Sequence, residues 1–246
     1  NLSYAPAVVR VSSLEAATGL LAAERFDLVI SMLRVGSVTA DRLAGTLKAM
    51  HPDIPFVVLA HDPRDCREFQ DAGLLDQVDY SFIWQGDARL FLAVVKLVED
   101  RQNARRDAEL AGVKSILLVE DSPRFSSSYL PMLYSEIMKQ TQSLMTDGVN
   151  RMQKLLRMRA RPKILLARNF EDAVDLLDRF QDNPLGAILD CRFPRNGVED
   201  REAGFRLAEL MRSRLPECPV LFQSSEAENR SRALATGAAF IDKNSP

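Results

Sequence analysis

Short apolar runs of strand length, each ending in polar residues, alternate with amphipathic stretches of helical period along this 246-residue chain. Such alternation marks βα units, which bury themselves by laying strands parallel and packing helices on both faces of the sheet. In the second half, the runs Val113 to Val119, Gly186 to Leu189, Pro219 to Gln223 and Ala238 to Asp242 lead into Glu120-Asp121, Asp190, Ser224-Ser225 and Lys243 respectively. A further strand is expected over Ile164 to Ala167. In an open parallel α/β sheet the carboxyl ends of the strands share one edge, and that edge is where such folds place their chemistry. An acid pair, a lone aspartate, a hydroxyl and an amine are therefore expected to converge.

The first half repeats the order of elements without those side chains. Strands are predicted over Val8 to Val11, Asp27 to Leu33, Pro55 to Ala60 and Val78 to Trp84. Helices are predicted over Ser13 to Arg25, Ala40 to Met50, Pro63 to Leu75 and Asp87 to about Ala111, with Ser13 and Asp87 as N-caps. Met32 stands where Asp190 does in the other half, Ala60 where Ser224 does and Trp84 where Lys243 does. A thioether, a methyl and an indole carry neither the charge nor the hydroxyl of their counterparts, so the first half is expected to bind or scaffold. The expected division is a degenerate domain over 1–111, lacking its first strand, and a complete acidic site over 112–246, lacking its last helix. The missing elements are expected in a longer protein of which this chain is a segment.

Composition excludes several classes of function. The formal charge of −2 and pI near 5.8 give no electrostatic case for a nucleic-acid binder. Cys66, Cys191 and Cys218 are odd in number and lack C-x-x-C spacing, which suits thiols in a reducing cytoplasm. His51 and His61 have no partners at ligand spacing, which argues against a histidine metal site or a Ser/His triad. No run approaches the roughly 20 apolar residues needed to span a bilayer. Asp190-Cys-Arg192 lacks the D-x-D of a dehalogenase-type phosphatase, and no G-x-x-x-x-G-K-[ST] occurs.

The ordered set Glu120-Asp121, Asp190, Ser224 and Lys243 resembles the receiver domain of two-component response regulators over about residues 112 to 246. Pro194, four residues after Asp190, and Phe240, three before Lys243, fit the same register. The resemblance implies two flavodoxin-like (CheY-like) doubly wound α/β domains in tandem. It implies Asp190 as phosphoacceptor, Glu120 and Asp121 as the metal-binding acids, Ser224 and Lys243 as contacts to the phosphoryl group, and Phe240 as an aromatic switch residue. Three carboxylates at one edge repel by several kcal/mol at about 4 Å in an effective dielectric near 20. An all-oxygen set with open positions suits Mg²⁺, held here by Glu120, Asp121, Asp190 and the backbone carbonyl of Arg192. The activity implied is regulatory rather than enzymatic, with a sensor histidine kinase or a small phosphodonor as partner and a cytoplasmic location. Asn244 replaces the family's usual proline after the lysine, and Arg195 to Arg201 lengthens the loop beside the site.

From Asp121 to the strand at Ile164 runs a segment about twice the usual single-helix length. Leu130, Leu133, Tyr134, Ile137, Met138, Leu144, Met145, Met152, Leu155 and Leu156 predict an extended amphipathic helix, with a homodimer contact possible near 130–158. The basic run Arg151, Lys154, Arg157, Arg159, Arg161 and Lys163 reads first as a solvated face and next as an interface. The wording Arg157-Met-Arg-Ala-Arg-Pro162, Phe193-Pro-Arg-Asn-Gly197, Gln223-Ser-Ser-Glu226 and Asp242-Lys-Asn-Ser-Pro246 resembles the receiver-like segment preceding the nucleotide-binding domain of phosphoenolpyruvate synthase or pyruvate phosphate dikinase type bacterial proteins. That resemblance implies an alternative, a non-phosphorylated scaffold or dimerisation segment regulating an ATP-using enzyme domain beyond Pro246.

Overall fold

The computed structural model describes residues 6–143, 161–180 and 184–244. The chain divides into two compact units, one comprising residues up to Val98 with Ser126–Pro131, the other Glu99–Phe125 with Met132 onward.

The first unit runs α1 (Leu14–Ala23), β1 (Val29–Met32), a small hairpin of β2 (Arg34–Val35) and β3 (Val38–Thr39), α2 (Ala40–Met50), β4 (Phe56–Ala60), α3 (Pro63–Asp71), β5 (Tyr80–Ile83) and the start of α4 (Arg89–Ala111). Its three main strands pair in parallel in the order β1-β4-β5. Every residue of β4 is buried, which is why Phe56-Val-Val-Leu-Ala60 is uninterrupted apolar sequence rather than an alternation. Helix starts follow local chemistry: the Ser13 hydroxyl accepts from the Ala16 amide at 3.1 Å, and Asp62 and Asp87 accept from the Arg64 and Arg89 amides at 2.8 and 2.9 Å. Leu43, Leu47, Phe56, Val58 and Cys66 form the core. The strand expected at Val8 to Val11 is not formed; Val8 is 86% exposed. An apolar run becomes a strand only where a neighbour takes up its backbone groups, and this one pairs with none of the described strands.

In the second unit, β6 (Ser115–Val119), β7 (Lys163–Ala167), β8 (Pro184–Asp190), β11 (Val220–Ser224) and β12 (Ala239–Asp242) form one parallel sheet in the order β12-β11-β8-β6-β7. Counted along the chain this is 2-1-3-4-5, the doubly wound order whose topological switch lies between the first and third strands, here β6 and β8. Helices α5 (Pro123–Ser143), α6 (Phe170–Phe180), α7 (Ala203–Arg214) and α8 (Asn229–Ala235) connect them. Leu189, Phe193, Leu207, Met211 and Phe222 fill the core, the Phe205 and Phe222 rings lying 4.7 Å apart. α5 is 21 residues long despite Pro131 within it. Leu144, Met145, Met152, Leu155, Leu156, Arg151, Lys154, Arg157 and Arg159 lie outside the described residues.

The loop that lengthens the site is a second hairpin, β9 (Phe193–Arg195) paired antiparallel with β10 (Val198–Asp200). Asn196 and Gly197 turn it with φ of 52° and 75°, the left-handed pair a two-residue hairpin turn demands. Arg161 and Lys163 do not join a solvated face. Both are buried, Arg161 at 7% exposure, because Asp100 of α4 lies 2.6 Å from the Arg161 guanidinium and Asp107 lies 2.7 Å from Lys163.

The two sheets share a register. Met32 pairs with Leu59 as Asp190 pairs with Gln223. The Trp84 amide donates to the Ala60 carbonyl at 2.7 Å, as Lys243 does to Ser224 at 2.9 Å. The amides opening the next helices do likewise, Ala40 to Leu33 at 2.9 Å and Gly204 to Cys191 at 3.1 Å.

Candidate functional site

The carboxyl ends of β6 and β8 flank the switch point, and the residues just past them are Glu120, Asp121 and Asp190. One carboxylate oxygen from each lies within 4.8 Å of the others. Lys243, immediately after β12, reaches across β11 so that its Nζ stands 2.6 Å from Glu120 Oε2 and 2.5 Å from Asp190 Oδ2. Its ammonium also lies 4.5 Å from the centre of the Phe125 ring, at the start of α5. Four residues separated by up to 123 positions are thus joined by direct hydrogen bonds or close approach.

Glu120 is 1% exposed and its carboxylate accepts three hydrogen bonds: Oε1 accepts from the Ser122 amide at 3.1 Å, and Oε2 accepts from Lys243 and from the Gln223 side-chain amide at 3.0 Å. Asp190 is 8% exposed and accepts from the Arg192 amide at 3.4 Å. The Arg192 guanidinium turns away to Glu199 of the hairpin at 3.0 Å and Glu226 at 3.3 Å. Ser224 is buried; its hydroxyl oxygen accepts from the Glu226 amide at 3.1 Å and from the Asn229 side chain at 3.0 Å, which ties it to the first residue of α8. Phe240, on β12, is half-buried against the core. Cys191 is wholly buried, and that burial pushes its thiol up to about 12, the neighbouring Asp190 charge adding to the rise. It is no nucleophile.

Three further residues have site roles that the sequence did not single out. Gln223 donates to Glu120, Phe125 lies beneath Lys243, and Gly204 packs on the backbone of Asp190: a Cβ there would stand 2.1 Å from the Asp190 carbonyl oxygen. A glutamine ending the apolar run Val220-Leu-Phe was the only one of these with a visible signal.

Burial pushes the Glu120 carboxyl up to about 7, with Lys243 opposing and Asp190 adding to the rise. Burial likewise raises Asp121 to about 6, Asp190 adding and Lys243 opposing. A carboxyl raised in the folded state stabilises the fold when protonated; the contribution is complete below the unfolded values, 4.5 for Glu120 and 3.8 for Asp121, and is lost as pH rises through about 7 and about 6 respectively. With a chelator present, the thermal midpoint should therefore fall by several degrees between pH 5 and pH 8, and Glu120→Gln should flatten that slope. An equally steep slope in the variant would place the effect elsewhere.

Three carboxylates facing one ammonium leave an excess of negative charge, and hard oxygen donors at this spacing fit a small divalent cation. The same edge offers Asp190 as an oxygen nucleophile next to a buried cation, Lys243.

No protein-family model and no curated protein matches the chain. Among solved structures it is similar to the non-phosphorylated HemR receiver domain from Leptospira biflexa, at 24% identity and a TM-score of 0.35, over 54% of this chain and 84% of that one. Among the described residues no helix is long and apolar enough to cross a membrane.

Proposed function

We propose that the second unit is a response-regulator receiver whose Asp190 accepts a phosphoryl group, and that the whole chain is a tandem of receiver-like domains in which only the second is competent. The observation that carries this reading is Lys243, held at 2.6 and 2.5 Å from Glu120 and Asp190 at the switch point of a 2-1-3-4-5 sheet, with Asp121 completing the acidic set. The first unit, in the same register, presents Met32, Leu59, Ala60 and Trp84. It is assigned a scaffold role.

When bound, Mg²⁺ neutralises charge on the phosphoryl oxygens, and Glu120, Asp121, Asp190 and the Arg192 carbonyl would hold it. A carboxylate oxygen of Asp190 attacks phosphorus in line; the bond from phosphorus to the donor's leaving atom breaks, and the electron pair departs with the donor. Lys243 exchanges part of its contact with Asp190 for an equatorial phosphoryl oxygen. Ser224, whose oxygen accepts from Glu226 and Asn229, donates its own O–H to another, and the pull on its oxygen transmits the added charge through Asn229 to α8, with Phe240 of the adjacent β12 following. The donor would be a sensor histidine kinase or a small acyl phosphate, and the setting the cytoplasm. The output would be an attached enzyme domain or a partner, with the segment near 130–158 as a homodimer contact. The module itself turns over no substrate.

Intact mass after incubation with Mg²⁺ and acetyl phosphate tests the reading. The protein should gain one phosphoryl group, and Asp190→Asn or a chelator should abolish the gain. No gain in a folded, metal-binding protein would leave the scaffold alternative, in which the chain regulates a phosphoenolpyruvate synthase type domain without being phosphorylated.

A further inference from the structure

Gln223 is a buried amide among the acids, 4% exposed, at the end of an otherwise apolar strand. It is the parallel-register partner of Asp190, so the sheet itself aligns the two residues across neighbouring strands. Its Nε2 donates to Glu120 Oε2 at 3.0 Å, the same oxygen that accepts from Lys243 at 2.6 Å. With the Ser122 amide on Oε1 at 3.1 Å, three donors fix the rotation of the Glu120 carboxylate.

The position does not need an amide to fold. Its register equivalent in the first unit is Leu59, paired with Met32 and 4% exposed, so this strand end accommodates an apolar residue well. Polarity at this position goes with the acids: the set is Met32, Leu59, Ala60 and Trp84 in one unit and Asp190, Gln223, Ser224 and Lys243 in the other. An amide in a buried strand costs free energy unless its hydrogen bonds are made, and the bond it makes here is to a cluster carboxylate.

We propose that Gln223 is a positioning residue for the divalent cation of this site: it clamps Glu120 in the rotation that directs its charge toward the cation shared with Asp121 and Asp190. The proposal rests on the receiver reading above. Residues that orient a metal's carboxylates commonly change affinity roughly ten- to a hundredfold when removed.

Mn²⁺ serves as the probe, because free Mn²⁺ is counted directly by electron paramagnetic resonance without any phosphorylation. Gln223→Leu, the residue of the equivalent strand end, and Gln223→Met, unbranched and of similar length, should both raise the Mn²⁺ Kd roughly ten- to a hundredfold while keeping the thermal midpoint of the chelated protein near that of the parent. Asp190→Asn gives the scale for loss of a direct carboxylate. A Kd within twofold of the parent in both variants would overturn the positioning role while leaving the metal site intact. Weakened binding seen only in variants whose midpoint has collapsed would also overturn it, making Gln223 a core residue. A parent protein that binds no Mn²⁺ would overturn this proposal together with the metal-dependent reading, an outcome distinct from the other two.

Discussion

Replacing Asp100 by alanine should destabilise the protein by about 3–5 kcal/mol, the range for removing one partner of a buried ion pair. Asp100 has no exposed surface. Its Oδ1 lies 2.6 Å from Arg161 Nη2 and 3.8 Å from Lys163 Nζ, while its Oδ2 accepts from Arg161 Nη1, the Tyr134 hydroxyl and the Ile164 amide, each at 2.9 Å. One carboxylate thus joins α4, α5 and the entry to β7. Without it, the Arg161 guanidinium, 7% exposed, is left among the described residues with the Pro162 carbonyl at 3.0 Å, the Tyr134 ring at 5.3 Å and the charge of Glu99. The Ile164 amide, at the head of a fully buried strand, would lose its acceptor as well. In thermal melts the loss should read as a fall of about 6–20 °C for a protein of this length. Asp100→Asn should fall between, since it keeps the shape and an acceptor but not the charge. Asp100→Leu combined with Arg161→Leu should recover much of the loss, because no buried charge is then left alone. A drop below about 1 kcal/mol for Asp100→Ala would show that solvent reaches Arg161.

Gly204→Ala sets two effects of opposite sign against each other. Gly204 lies in the first turn of α7, where helix propensity alone favours alanine by about 1 kcal/mol. Its Cβ, however, would stand 2.1 Å from the Asp190 carbonyl oxygen, 2.9 Å from Cys191 Cα and 3.1 Å from the Asp190 carbonyl carbon. All three are backbone atoms, so no rotamer relieves the overlap; the helix or the end of β8 must move. Overpacking of this kind costs about 1–3 kcal/mol and at times more, so after the propensity gain a net loss of about 1–2 kcal/mol is expected in urea melts. Where the end of β8 gives way, the displaced residue is Asp190 itself. If that carboxylate is the phosphoacceptor, the rate of mass gain with acetyl phosphate should fall roughly a hundredfold for a shift near 1 Å. Stabilisation by about 1 kcal/mol would mean that α7 slides freely past the strand end.

The alternation of apolar runs and amphipathic stretches was enough to read the parallel α/β class, and the polar residues at the run ends named Glu120, Asp121, Asp190, Ser224 and Lys243 in the order in which the sheet presents them. Ser13 and Asp87 were legible as helix-starting side chains for the same reason: capping and periodicity act over three or four residues and leave a local trace. Depth and partnership leave no such trace. Arg161 and Lys163 sit in a basic run that reads as a wet surface, and they are buried because Asp100 and Asp107, more than fifty positions away, happen to face them. Val8 to Val11 has strand chemistry but pairs with none of the described strands, and Arg195 to Arg201 reads as a loop until Asn196 and Gly197 fold it into a hairpin. Gln223 is one polar residue after three apolar ones until strand pairing sets it beside Asp190 and within 3.0 Å of Glu120. The chain alone thus determined which residues could do chemistry at one sheet edge. Only the tertiary structure decided which of them touch, how deeply each is buried and which neighbours hold them in place, because electrostatics and packing depend on distances between segments that sequence spacing does not encode.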